Sequence, residues 1–118
     1  MIHGVVYINH DQQLILSHVM KTSSVVERMQ GLLCRAPLKE HEGFLIQPCS
    51  SIHTIGMRYD IDVIFLNKDL QIKKITCNIK PWRFAMSVGA AMVLELMAGN
   101  AERLGLVENM ELQWELNK

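Results

Sequence analysis

The chain has 118 residues, of which 49% are hydrophobic and 20% charged, and its twelve Lys and Arg balance twelve Asp and Glu to zero formal charge. That length admits one domain with one core and excludes a cofactor domain joined to a separate substrate domain, while the apolar fraction excludes a disordered chain. With no net charge, and Lys73-Lys74 the only adjacent lysine pair, no field draws the protein to nucleic acid or to an anionic membrane.

Three cysteines, Cys34, Cys49 and Cys77, are an odd number without CxxC spacing, which argues against a disulfide framework and a thiolate zinc knuckle. A reducing compartment fits. The first residues, MIHGVVYINHDQQ, carry one short apolar run with no basic leader, and no run reaches the roughly 18 apolar residues of a membrane span. The expected location is the cytoplasm.

In chain order, Val5 to Asn9 and Leu14 to Val19 are β-rich runs around the polar turn His10-Asp11-Gln12-Gln13, predicting an opening hairpin. Ser24-Val25-Val26-Glu27 has capping-box spacing. Val25, Met29, Leu32 and Leu33 then recur at helical intervals, predicting a helix over about 24–34 that buries this face and ends before Pro37. Strand-length segments follow at Phe44 to Gln47, Ile52 to Met57, Ile61 to Leu66, Gln71 to Cys77 and Met92 to Met97. Asn67-Lys68-Asp69 makes 61–77 the clearest hairpin. Pro81 opens a loop to about Gly89, Ala98 to Leu104 reads as one or two helical turns capped by Gly105, and Met110 to Leu116 is a last strand. Residues 1–118 are thus expected to form a single α+β domain, mainly antiparallel β with two short helices, closed as a barrel or built as a small sandwich.

The run CSSIHTIGMRYDIDVIFL, Cys49 to Leu66, places His53, Arg58 and two aspartates inside strand-like apolar sequence, where a polar group without a partner is costly. Were the two segments to pair through Arg58-Tyr59-Asp60, His53 and Asp62 would meet near strand ends, as a buried hydrogen-bonded pair or as an oriented base. Glu95 lies between apolar neighbours on both sides, so its strand is covered on both faces or it looks into a cavity. Either way it calls for a cation, with Arg58 and Arg83 the candidates. Trp82 and Arg83 sit in the loop after Pro81, a place for ligand contacts or for a simple cap on the fold. Cys49 and His53, with Cys77 as a third, do not suit a metal, because residues four apart on a strand lie roughly 13 Å apart. A Cys49–His53 nucleophile pair meets the same objection. No phosphate loop, GxGxxG, HExxH or GxSxG motif occurs, so no cofactor is expected.

Over about residues 27–112 the sequence resembles the DUF192 family, also called UPF0127. The resemblance rests on Glu27-Arg28-Met29-Gln30-Gly31-Leu32-Leu33-Cys34-Arg35, on Glu42-Gly43-Phe44-Leu45-Ile46, and on His53 to Arg58 followed by Ile61-Asp62-Val63-Ile64-Phe65-Leu66. It continues in Val93-Leu94-Glu95-Leu96, Ala98-Gly99 and Gly105-Leu106. His53 to Arg58 is a variant of a segment that in many members reads Phe-Trp-Met-Lys-Asn-Thr, and Glu108-Asn109 stands where the family usually has Gly-Asp. The resemblance implies a compact, mostly β fold with short helices and no particular activity. It sets Arg28, Arg35, Met57, Arg58, Asp62 and Glu95 on motif positions.

Together these residues favour a non-enzymatic binding domain, in which His53, Arg58, Asp62, Trp82, Arg83 and Glu95 hold a small polar or anionic ligand or a peptide at one end of the barrel. An enzyme using His53 with Asp62 or Glu95 as general acid and base is the alternative. A third reading is an interaction subunit that pairs through the edge strand Met110 to Leu116.

Overall fold

The computed structural model describes residues 1–31 and 35–117. Among them, the strands are β1 (Ile2–Ile8), β2 (Gln13–Lys21), β3 (Glu42–Ile46), β4 (Ser51–His53), β5 (Ile61–Leu66), β6 (Ile72–Ile79), β7 (Phe84–Met86), β8 (Met92–Met97) and β9 (Leu112–Leu116). The helices are α1 (Val25–Gln30) and α2 (Asn100–Arg103).

The predicted hairpins form: β1 pairs with β2 and β5 with β6, both antiparallel. Seven strands make one sheet in the order β6-β5-β8-β3-β2-β1-β9, and β4 and β7 make a separate antiparallel pair. Within the large sheet β2–β3 is parallel, and the other pairings are antiparallel. The fold is therefore mainly β with two short helices, and it is sandwich-like. The expected barrel does not form: the end strands β6 and β9 approach at one bridge, Gln71 with Glu111, without a ladder that would close the sheet.

Strand alternation explains why the centre of the sheet is apolar throughout. All six residues of β5 are buried, as are five of the six in β8. On one face Leu16, Leu45, Ile64, Leu94 and Leu96 form a core with Ala101 of α2 and Leu112 of β9. On the other, Phe44, Ile46, Val63, Phe65 and Val93 pack under Ile52 of β4 and Ala85 of β7. The β4–β7 pair is thus a lid over one face, and the sheet is buried on both sides.

Three expectations are corrected. The segment Ile52 to Met57 is not one long strand: β4 ends at His53 and turns away at Thr54. Its pairing partner is β7, which lies in the stretch expected to be a loop, and not β5. Buried Thr54 fixes this turn. Its hydroxyl donates to the Lys80 carbonyl at 2.7 Å and accepts the Arg83 amide at 2.8 Å. The third correction concerns α1, whose Val25 and Met29 are 60% and 77% exposed. Leu32 and Leu33, the remainder of the predicted buried face, lie outside the described residues. This helix is held at its N-terminus instead. Ser24 Oγ accepts the Glu27 amide at 3.1 Å, and the Glu27 carboxylate accepts the Ser23 amide at 2.7 Å and pairs with the Met1 amino group at 2.8 Å. Hydrogen bonding from that amino group, then from Ser23, holds the Glu27 carboxyl down at about 2.

Candidate functional site

The lid does not cover its face of the sheet completely. Between β4 and α1 an open cleft of about 90 Å³ remains, walled by Ser51, Ile52 and His53 on one side and by Arg28, Met29 and Gly31 on the other. Its floor is the sheet itself, through Ile46 of β3 and Glu95 of β8. Ile55 and Met57, in the turn after β4, complete the lining.

Glu95 stands opposite Phe44 on β3 and Val63 on β5, so alternation aims its side chain at the face that the lid covers. It is 5% exposed, and among the described residues its Oε2 has no hydrogen-bond partner. Among the described residues no ion pair involves it. Burial alone pushes this carboxyl up to about 8, so at neutral pH it is a neutral acid able to donate one hydrogen bond and accept others. Arg28 crosses the gap to donate from Nη1 to the Pro48 carbonyl at 3.2 Å, tying α1 to the segment before β4. Cys49 also lines the cleft. Its Sγ donates to the Ser51 carbonyl at 3.0 Å, and burial raises the thiol, with the nearby Glu95 adding to the rise. That environment disfavours the thiolate a nucleophile or a metal would need. Among the described residues no group of three or more His, Cys, Asp and Glu is arranged to hold a metal ion.

Of the six predicted site residues, the structure brings His53 and Glu95 to this one cleft. Asp62 lies on the opposite face of β5 from Val63, on the side of the core that contains α2, so the expected encounter with His53 does not occur. Its carboxylate is occupied by backbone: Oδ1 accepts the Asn78 amide at 2.8 Å, and Oδ2 accepts those of Gly99 at 3.1 Å and Ala101 at 2.9 Å. Arg58 is exposed in the turn beyond Met57. Trp82 and Arg83 are exposed before β7, with Arg83 Nη1 donating to the Trp82 carbonyl at 3.2 Å. None of these three lines the cleft, so the cation expected beside Glu95 from Arg58 or Arg83 is not there. Sequence reasoning missed Arg28 and Ser51 as neighbours of Glu95. The available signal was Arg28, which sits on a motif position like Glu95.

A two-layered, mainly β fold with a cleft between lid and helix defines the class of protein. The chain belongs to the DUF192 family (Uncharacterized ACR), whose pattern it matches over residues 6–114. The UPF0127 protein PF1050 of Pyrococcus furiosus is 32% identical over 95 residues, covering 75% of this chain and 79% of that protein. Two crystal structures share the fold. One is R01717 of Sinorhizobium meliloti 1021, described as a "putative transcription regulator", with TM-score 0.84, 24% identity and coverage of 97% of this chain and 94% of that one. The other is a protein of unknown function from Novosphingobium aromaticivorans DSM 12444, with TM-score 0.75, 24% identity and coverage of 95% and 84%.

Proposed function

We propose that the protein is a small binding domain whose ligand enters the cleft between α1 and β4 and hydrogen-bonds to Glu95. One observation carries this reading: Glu95 Oε2 is buried without a partner among the described residues, at the floor of a cleft that opens to solvent. An unsatisfied buried polar group costs about 1–3 kcal/mol, and a ligand that supplies the missing hydrogen bond recovers part of that cost. The inner part of the ligand is therefore polar and able to hydrogen-bond to a carboxyl. Arg28 and His53 on the cleft walls favour polar or anionic groups on its outer part.

Calorimetry with a panel of small amines, amino acids and carboxylic acids tests the reading. At least one compound is expected to bind, at least tenfold more weakly to Glu95→Gln and with unchanged affinity to Arg83→Ala, whose side chain is outside the cleft. Equal binding by the native protein and Glu95→Gln would overturn the assigned site.

A further inference from the structure

We propose that the natural occupant of the cleft is an extended segment of a partner protein that adds as a third strand to the free edge of β4 and lowers a lysine onto Glu95. The inference rests on the reading of the cleft as a binding site and names what fills it.

The backbone of β4 carries the first part of the argument. Thr54 donates its amide to the Arg83 carbonyl at 2.9 Å, and Ser87 donates to the Ser50 carbonyl at 3.0 Å, in register with the pairing of Ile52 and Ala85. Hydrogen-bonded positions alternate along an antiparallel strand, so residues 50, 52 and 54 bond towards β7. The amides and carbonyls of Ser51 and His53 consequently face away from β7. The Ser51 carbonyl already accepts the Cys49 thiol, the weak donor of the set. The far edge of β7 is different: Lys74 Nζ reaches across to the Met86 carbonyl at 2.8 Å. Of the two edges of the lid, β4 is the one that borders the cleft and whose outward groups carry, among the described residues, only the weak thiol contact, so it is the edge that offers main-chain groups to an incoming strand.

The second part is the floor. A strand laid along β4 would continue the lid layer, roughly 10 Å above the large sheet. Alternate side chains of that strand would point down towards Glu95. A long stem ending in several donors is needed to reach an unpartnered carboxyl from that height, and lysine has both. An amino terminus would end the pairing before it reached this depth. An ammonium can also take up the vacant pairing, because among the described residues Glu95 has no ion-pair partner of its own and its acid form can give up its proton on pairing, although Arg28 shares the cleft. Met29 on the opposite wall and Ile55 beyond β4 are 77% and 46% exposed, and they offer apolar contact to the residues flanking the lysine.

The proton balance gives a signature. The free protein holds a proton on the Glu95 carboxyl and the free lysine is an ammonium, while the bound pair holds one fewer proton in total. One proton therefore passes to the buffer on binding, whichever partner keeps the shared one.

The test selects a randomised heptapeptide library with lysine fixed at its centre on the native protein, with counter-selection on Glu95→Gln. Enriched peptides are expected to bind at least tenfold more weakly after acetylation of the lysine, and again after N-methylation of the flanking backbone amides. They are expected to shift the amide resonances of Ser51 and His53, and to release close to one proton in calorimetry run in two buffers of different ionisation enthalpy. Selected peptides that tolerate N-methylation would overturn the strand pairing. If n-butylammonium binds in a Glu95-dependent way but no peptide is enriched, the partner assignment fails while the cleft reading stands. If neither probe depends on Glu95, both fail.

Discussion

The carboxylate of Asp62, on β5, accepts the amide hydrogen of Ala101 at 2.9 Å and so caps α2, whose own N-cap position, thirty-seven residues after Asp62, is held by Gly99, a residue without a side chain to do it. The same carboxylate accepts the Asn78 amide, where β6 turns through a positive φ of 53° opposite an irregularity in its pairing with β5. Asp62→Ala leaves three amides without this acceptor, and a loss of about 2–4 kcal/mol is expected. Asp62→Asn is also expected to destabilise, because its NH₂ must meet backbone donors. Urea denaturation measures both, and a loss below about 1 kcal/mol for Asp62→Ala would refute the capping role.

Much of this fold was legible in local pattern. Hairpin turns around Asp11 and Asn67 and the buried runs of β5 and β8 follow from spacing alone, because neighbouring strands pair through short connections. The lid was not legible. Phe84 to Met86 reads as a loop because its partner, Ser51 to His53, is thirty-odd residues away and each piece is only three residues long. For the same reason His53 and Asp62 appeared to share a hairpin when the chain in fact crosses from lid to sheet between them. Glu95 was legible as a carboxyl in apolar surroundings. The rest of its cleft was not, since Arg28 and Ser51 join it there only through the packing of α1 and β4 over the sheet.

Glu95 should tilt the pH dependence of stability towards acid. Its carboxyl is raised from 4.5 to about 8 in the folded protein, so between these values the native state holds a proton that the unfolded state has lost. Stability falls as pH rises through this window and levels off above about 8, by an amount on the order of 5 kcal/mol. Glu95→Gln keeps a neutral side chain at every pH. Denaturation curves between pH 5 and 9 should show the slope in the native protein and a flatter profile in the variant; parallel profiles would contradict the shift.

Glu27 should act in the opposite direction. Its carboxyl is held at about 2, first by the Met1 amino group and then by Ser23, so the stabilisation it brings is present above 4.5 and is lost as pH falls towards 2. Glu27→Gln is expected to have a lower melting temperature at pH 6 and a shallower decline between pH 4.5 and 2.5. A variant whose melting temperature follows the native curve throughout would show that the pairing carries no weight.

Gly4 is required by a close approach of chains. A Cβ at this position would stand 2.4 Å from the Glu115 carbonyl oxygen and 2.6 Å from the Trp114 ring, on the β9 strand that pairs with β1. The ring can be displaced, but the carbonyl belongs to the ladder, so β9 must shift. Gly4→Ala is expected to cost about 1–3 kcal/mol and to raise hydrogen exchange of the β9 amides, while leaving those of β5 and β8 protected. Unchanged exchange in β9 would show that the strand accommodates the methyl group in place.

Cys49 offers a chemical readout of the cleft. Burial raises its thiol and its Sγ donates to Ser51, whereas Cys77, also raised by burial, is exposed on β6 and outside the cleft. Iodoacetamide at pH 8 should therefore modify Cys77 first, with peptide mass mapping separating the two sites. A ligand lying between α1 and β4 would screen Cys49 and leave Cys77 untouched, so the ratio of the two alkylation rates reports occupancy without any assumption about activity. A saturating ligand that slows neither thiol, or slows both equally, must bind elsewhere on the protein.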